Sequence, residues 1–459
     1  MLVMGGCAGY HPAPLDAPGL AADFAARKLD DPGLQPFLST AGLTHRGAEW
    51  TPRALAVVAI FFHAQLDLSR AEWREAVAGE STAGGHPPAG LGVQADRSAR
   101  PDEGKSTPWS VAVNADLSME LGRARGARLA RARALSLAAR LRVAADAWRV
   151  AGEAQAAATT LLVARKAVEI ARGERLVLDT VLDLTRSRYA QGAASVVEVS
   201  RAEGDALTAG VAVSTAEQAE LSARAAVAQS LGLPFASVES IIVVPDSGTS
   251  CAAVDSLPLP AMTALALQTR PDVGFQVAAY AGAEMDVRLA VAEQYPDLTI
   301  GPSIGWDQGV GRWALNVGFA RLIVGRNRGA LAQAEARRAG GAAMVDSVQQ
   351  SVSTELARSY AECGRSLNEA AAADSIWKGA STRLSQTERA FERGETGALE
   401  LALARLDVVR TTGTVSTAHN RLIAANVAFD RALPPGKGNP MGAWPDLTEP
   451  PQRARASRQ

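Results

Sequence analysis

Two hydrophobic periods alternate along the chain. Apolar residues recur at helical spacing over about 53–80 and 261–293, in segments rich in Ala and Leu, and predict a helix in each. The period then falls to two. Within 297–306, Leu298, Ile300, Ile304 and Trp306 share one face while Asp297, Thr299 and Ser303 share the other. Trp109, Val111, Val113 and Leu117 are likewise opposed to Ser110, Asn114 and Asp116, and 313–319 repeats the alternation. Segments of about 9 to 11 residues with a Trp near one end suit transmembrane β-strands, one face to lipid and one to water. Two ordinary solvent-exposed hairpins would carry much of the same pattern. Beyond each hairpin the pattern is helical again, and long. From Gly122 to Ser187 there is no Pro, and Gly recurs only at 126, 152 and 173. A helix of that extent measures roughly 100 Å, which no compact domain holds. A turn at about 189–194 reverses the chain, and a returning helix runs to about Leu231, where Gly232-Leu233-Pro234 stops it.

The second half follows the same plan, from Gly325 to Ala390, through a turn near Gly394, and back to Leu433-Pro434-Pro435. The two halves are copies of one unit. Gly122-Arg-Ala-Arg-Gly-Ala lines up with Gly325-Arg-Asn-Arg-Gly-Ala at an offset of about 203 residues. Tyr189-Ala-Gln-Gly192 and Glu198 match Phe391-Glu-Arg-Gly394 and Glu400, and that register continues through Asp205/Asp407 to Leu231/Leu433. Trp109 corresponds to Trp313 and Pro88 to Pro296. The expected organisation is therefore an N-terminal tail over 1–50, a first repeat over 51–234 with a hairpin at about 88–118 and a tip turn at about 188–198, and a linker over 235–260. A second repeat follows over 261–435, with a hairpin at about 296–322 and a tip turn at about 390–400, then a disordered tail over 436–459 rich in Pro, Gly and Arg.

Composition sharpens this picture. Of the 459 residues, 47% are hydrophobic but only 5% aromatic, so the apolar content is Ala, Leu and Val, which favours helices packed side by side over thick cores. A net charge of -1 removes the electrostatic attraction that nucleic acid binding needs, and nucleic acid is not expected as a partner. Three Cys and five His, scattered, give neither a disulfide framework nor a spaced zinc site, and no cofactor or resident metal is expected. Cys251, placed in a loop, and Cys363, placed in a helix, read as ordinary residues. No apolar run reaches the roughly 18 to 20 residues of a membrane-spanning helix; the nearest, Ala54 to Phe62, is about half that. The N-terminal Met1-Leu-Val-Met-Gly-Gly-Cys7 resembles the end of a bacterial lipoprotein signal, where small residues precede a Cys that is lipidated. The charged start of such a signal is missing, so Cys7 is either a lipidation site or an ordinary residue of a tail.

If the strands lie in lipid, four of them cannot close a barrel, and open edges would leave backbone groups unsatisfied at several kcal/mol each. Other chains must complete the ring. Three identical copies in cyclic symmetry would supply about twelve strands, within the range of known barrels. The fold class predicted is mainly α with a small β part: long antiparallel coiled-coil helices forming an α-helical barrel, joined to a trimeric 12-strand transmembrane β-barrel.

At this point the residues resemble the TolC-like outer-membrane efflux proteins. The resemblance covers about 50 to 433 and is carried by Gln268-Thr-Arg-Pro-Asp-Val273, Gln294-Tyr-Pro-Asp-Leu-Thr-Ile-Gly-Pro302, Gly325-Arg-Asn-Arg-Gly329 leading into Ala334-Glu-Ala-Arg-Arg338, and the Arg188-Tyr-Ala-Gln-Gly192 turn. The run from Tyr295 through Trp306 to Gly329 looks most like the heavy-metal cation efflux (CzcC-like) subgroup. The family implies a homotrimeric channel in the outer membrane, reaching through the periplasm to an adaptor (membrane fusion protein) and an inner-membrane pump, here of resistance-nodulation-division type. It implies no catalysis. The tip turns, with Tyr189, Gly192, Glu198, Phe391, Gly394 and Glu400, correspond to the periplasmic aperture and the adaptor contact. Three copies of Glu400 about a narrow axis would form a cation-attracting ring; a solvated exterior glutamate is the alternative. Well-known members latch the closed tip with a Tyr three residues before the second turn glycine and an Arg two after it, where this chain has Phe391 and Thr396. Trp109, Trp306 and Trp313 would mark the membrane interface, against outer-membrane lipid. Arg321, unusual on a lipid-facing strand, would lie in the lumen or beyond the membrane edge.

Three other readings stay open. A type I secretion duct would use the same architecture, and a soluble periplasmic coiled-coil scaffold would use the helices alone. An enzyme is disfavoured, since His11, His45, His63, His86 and His419 show no partner arrangement with Cys or Asp and no phosphate loop follows a strand.

Overall fold

The computed structural model describes residues 9–43, 47, 49–99, 104, 107–120, 123–246, 251, 258–295, 297–320, 327–433, 447, 451 and 453. Cys7, His45, Gly122, Pro296, Arg321 and Gly325 lie outside them. The chain is mainly helical. Helices α1 (Ala17–Ala25) and α2 (Leu34–Thr40) and the short β1 (Glu49–Trp50) precede α3 (Pro52–Phe62) and α4 (Ala64–Gly84). Strands β2 (Gly90–Arg97) and β3 (Trp109–Met119) lead into the 67-residue α5 (Ala124–Ala190) and the returning α6 (Val196–Leu231). After β4 (Ile242–Val243) the order recurs: α7 (Leu259–Thr269), α8 (Pro271–Ala292), β5 (Asp297–Asp307), β6 (Val310–Ala320), the 65-residue α9 (Arg328–Glu392) and α10 (Ala398–Ala432). At 1.5 Å per residue α5 and α9 are each roughly 100 Å long.

The segments read as single helices over 53–80 and 261–293 are each two. His63 (φ -71°, ψ 122°) and Arg270 (φ -66°, ψ 134°) hold nearly the same extended conformation at the breaks, and each donates its amide to a carbonyl four residues back, Ala59 or Ala266. At Arg270 the cause is Pro271, which disfavours helical geometry in the residue before it. The first break, followed by Ala64, has no such residue and is held by side chains. The His63 Nδ1 caps α4 by accepting the Gln65 amide at 3.2 Å.

At both breaks arginines satisfy carbonyls at helix ends. Arg270, buried, pairs with Asp272 at 2.7 Å and Glu355 at 2.9 Å and donates to the Ala432 carbonyl at the end of α10. Burial works against its charge, but the hydrogen bonds and charges of Asp272 and Glu355 outweigh that and hold its pKa above the ordinary value. At the first break the guanidiniums come from both ends of the chain. Arg27 donates to the carbonyls of Phe62 and Gly232, and Arg453 to that of Phe61, while Arg453 pairs with Asp67 at 2.7 Å. The fully buried Arg70 also reaches Asp67, and its Nε donates to the Leu447 carbonyl at 3.0 Å. Of the C-terminal stretch expected to be disordered, the described Leu447 and Arg453 touch the first break through a backbone carbonyl and a guanidinium. Likewise α2 and β1 fall within the N-terminal stretch read as a tail. Leu34 and Leu38 of α2 are buried, and β1 pairs in parallel with β4 of the inter-repeat linker.

Two apolar cores sit at the level of these breaks. One joins α2, α3, the middle of α5 and the end of α6 around Phe61, Phe62, Leu161 and Leu231. The other joins α7, the middle of α9 and the end of α10 around Leu356 and Phe429. The second contains a disulfide between Cys251 and Cys363, 112 residues apart in sequence, with the Cys251 amide donating to the Asn426 Oδ1 at 2.8 Å. Reading these two cysteines as ordinary residues was incorrect. A loop folding onto a distant helix leaves no local spacing signal. The helix pair α3–α4 bends by 49° and has the length and composition of a broken membrane span, yet α3 is buried in protein, and among the described residues no single helix is long and apolar enough to cross a membrane.

Removing Arg270 takes the shared cation from Asp272 and Glu355, both partly exposed, and the donor from the Ala432 carbonyl. Arg270→Ala is expected to cost about 1–3 kcal/mol, seen as a fall in thermal unfolding midpoint in detergent. Arg358→Ala, which breaks the exposed pair with Glu362, is expected to leave that midpoint unchanged.

Candidate functional site

The four longer strands form one antiparallel sheet in the order β2-β3-β5-β6, so the two hairpins join through β3 and β5. Registration sorts the side chains by character. One face carries Leu91, Val93 and Ala95 opposite Ala115, Val113 and Val111; these continue into Ile304 and Trp306, and then into Trp313 across from Ile304. Lower on the same face, Met119, Leu298 and Phe319 stand in a row. These side chains are exposed on the single chain, Trp313 at 82% and Trp306 at 60%. The opposite face carries Gln94, Asp96, Ser110, Asn114, Ser303, Asp307, Arg312 and Asn316, knitted by Ser110 donating to Asp307 at 2.7 Å and by an Arg312–Asp307 pair at 2.9 Å. Eleven residues at about 3.3 Å each, tilted about 40°, give an apolar band close to the roughly 25 Å of transmembrane barrels. Among the described residues the outer edges of β2 and β6 have no partner strand.

At the far end of α5 and α9 two turns share one hydrogen-bond plan. Gly192 (φ 74°) and Gly394 (φ 72°) sit in the left-handed region, their amides donating to Tyr189 and Phe391. The amides of Ala193 and Glu395 reach back to Arg188 and Ala390. This is the helix-ending device that glycine permits. Tyr189 and Phe391 are both exposed.

The acidic residues that follow part company. Ser195 caps α6, and Glu198 completes a capping box by accepting the Ser195 amide at 2.6 Å and its hydroxyl at 2.8 Å. Those two bonds hold the Glu198 carboxyl below the usual carboxylate range. The corresponding cap of α10 is Gly397, which has no side chain to lend. Glu400 instead pairs with Arg188 at the end of α5, 3.7 Å away, bridging the two hairpin tips of one chain. A second bridge between the same two helices, Arg410 with Glu174 at 2.9 Å, lies further from the tip. The Ser-x-x-Glu signature of the capping box is legible in the sequence; the Arg188–Glu400 pair, formed across 212 positions, is not.

Among the described residues the histidines stand apart from one another. Of the histidines, His63 caps a helix, His86 contacts Arg125, and His419 pairs with Asp374 on a helix surface. Among the described residues no group of three or more His, Cys, Asp or Glu could hold a metal ion. The folded pKa of Glu198 lies below its unfolded value, so its stabilising contribution is present above the ordinary carboxylate pKa and is lost as pH falls through the depressed one. Amide exchange in the first turn of α6 is therefore expected to quicken on acidification, and Glu198→Gln to abolish that dependence. Ser195→Ala is expected to loosen the same turn by about 1 kcal/mol.

A sequence profile of the outer membrane efflux protein family matches residues 66–233 and again 263–433. Among solved structures, the chain is similar to the outer-membrane channel OprN at 17% identity, with a TM-score of 0.68 over 93% of this chain and 98% of that one. The outer membrane protein VceC of Vibrio cholerae is 18% identical, with a TM-score of 0.67 over 83% of this chain and 95% of its own. The open state of the MtrE outer membrane channel of Neisseria gonorrhoeae is 16% identical, with a TM-score of 0.62 over 88% and 91%. A comparison with curated proteins finds no match.

Proposed function

Because the chain belongs to the outer membrane efflux protein family of TolC-like channels, we propose that it is the passive exit duct of a tripartite efflux system. Three copies would close the sheet into a twelve-strand barrel and the helices into a tube beneath it. The observation that carries this reading is the sheet, with an apolar face, a polar face and two open edges. In hydrocarbon those edges must pair, and β6 of one copy meeting β2 of the next satisfies both. The helices support the same joint. Within the chain α6 packs on α5 and α9 on α10, leaving α6 and α9 as the outer members of the layer. Val197, Leu207 and Val211 on α6, and Ile376 and Trp377 on α9, remain exposed for a neighbour to cover.

The tube would cross the periplasm, with the tips at 188–200 and 390–402 meeting an adaptor that couples to a resistance-nodulation-division pump. Heavy-metal cations or drugs are the substrates this reading favours; a type I secretion duct is the alternative. Cys7, if lipidated, would add a membrane anchor. Three Glu400 carboxylates near the axis would favour cations, and the Arg188–Glu400 pair takes the place of the latch that Phe391 and Thr396 cannot make. Opening the aperture then means parting Arg188 from Glu400, an exposed pair worth at most about 1 kcal/mol, so a modest pull suffices.

In planar bilayers the purified protein is expected to conduct, and Glu400→Lys to lower cation over anion selectivity. Unchanged selectivity removes Glu400 from the aperture. Recovery of the protein in a soluble fraction without detergent would replace the duct with a coiled-coil scaffold.

A further inference from the structure

The sheet has two ends, and they differ. At the end nearest the long helices the apolar face finishes with Met119, Leu298 and Phe319, and the neighbouring Arg128 is paired with Glu120. At the hairpin end it finishes with Trp109, Trp306 and Trp313, all more than half exposed. Two described arginines stand on strands at this end. Arg312 lies on the polar face and is neutralised by Asp307. Arg97 lies on the apolar face: it is the odd-numbered successor of Leu91, Val93 and Ala95, and its register partner is Trp109. Among the described residues Arg97 meets no carboxylate, and its guanidinium lies over the Trp109 ring, 5.9 Å from the centroid.

A cation that meets no carboxylate among the described residues, on an otherwise apolar strand face, needs an explanation, because a buried charge in hydrocarbon is costly. Tryptophans settle at the boundary between hydrocarbon and headgroups, which fixes the level of this row in a bilayer. The phosphates of the lipid headgroups lie at that level. We infer that Arg97, steadied against Trp109, binds the phosphate of a lipid headgroup in the leaflet reached by the hairpin ends. This rests on the reading of the sheet as a barrel wall. The planar guanidinium offers two parallel N–H donors to phosphate oxygens, and the ring beneath it restricts its rotamers. The positive charge is matched by an anionic ligand, and the aromatic row is matched by acyl chains just below. Among the described residues no arginine stands on the apolar face at the opposite end, where Arg128 on the helix beyond is paired with Glu120, so the contact is assigned to one leaflet.

The test uses the intact protein purified in neutral detergent, with bound lipid read by native mass spectrometry. Phosphatidylglycerol, phosphatidylcholine and inorganic phosphate are titrated separately. Wild type is expected to prefer phosphatidylglycerol, and Arg97→Gln to weaken that binding about five-fold, the factor for one basic residue at an anionic membrane surface. Arg97→Lys should keep part of the preference, and Arg312→Gln, on the other face, all of it. Arg97→Gln should leave bilayer conductance intact, which shows that the variant is folded. Equal phosphatidylglycerol affinity in Arg97→Gln would overturn the proposal. So would displacement of phosphatidylglycerol by inorganic phosphate at equal concentration, which would mark a free-anion site. Either result leaves the duct reading standing, since that depends on conductance and membrane partition.

Discussion

Everything in this chain follows from a sheet that cannot be finished by the chain that makes it. Among the described residues, four strands with one apolar face leave the backbone donors and acceptors of β2 and β6 without a partner strand on their outer sides. In water those groups would be solvated at little cost. In hydrocarbon each would cost several kcal/mol, and the remedy is further copies of the same edges. A heterologous joint of β6 to β2 generates a closed ring when the rotation permits. The helices obey the same geometry, since α5 continues from β3 and α9 follows β6, so a ring of strands imposes a ring of helices below it.

Stability is distributed unevenly along that length. The two cores at the helix breaks hold nearly all of the large buried side chains, together with the Arg270 network, the Arg27 and Arg453 clasps and the Cys251–Cys363 bond. Towards the tips the cluster of buried apolar residues shrinks to Leu178, Ala209 and Leu406. Beside and beyond it, surface ion pairs such as Arg383–Asp407 and Arg186–Glu203 tie helix to helix. Such pairs exchange readily with water and contribute little each. A well-packed middle and weakly held tips would suit the proposed duct, whose aperture would open under a modest force.

Much of this was legible before the structure. Alternation in 297–306 and 109–117 placed two strands, because a period of two survives any tertiary context that wets one face of a sheet. Proline-free runs placed the long helices, and duplicated motifs placed the turns. Contacts between residues far apart in sequence were not legible. The joining of β3 to β5, the Cys251–Cys363 bond and the Arg188–Glu400 bridge depend on how the halves dock, and no local spacing encodes docking. The break at His63 was hidden for a related reason. Pro271 announces the break at Arg270, whereas the first break is fixed by Arg27 and Arg453, hundreds of residues apart in the chain. The separate fates of Glu198 and Glu400 were half visible: Ser195 against Gly397 at the cap decides which carboxylate is tied to its own helix.

The claim on which the rest stands is that edges left open in one chain are closed by others. The mass of the detergent-extracted assembly tests it most directly, measured under conditions that strip lipid but keep native contacts. A single species of three times the chain mass, stable to dilution, is expected. A monomer that keeps its strands in detergent would contradict it.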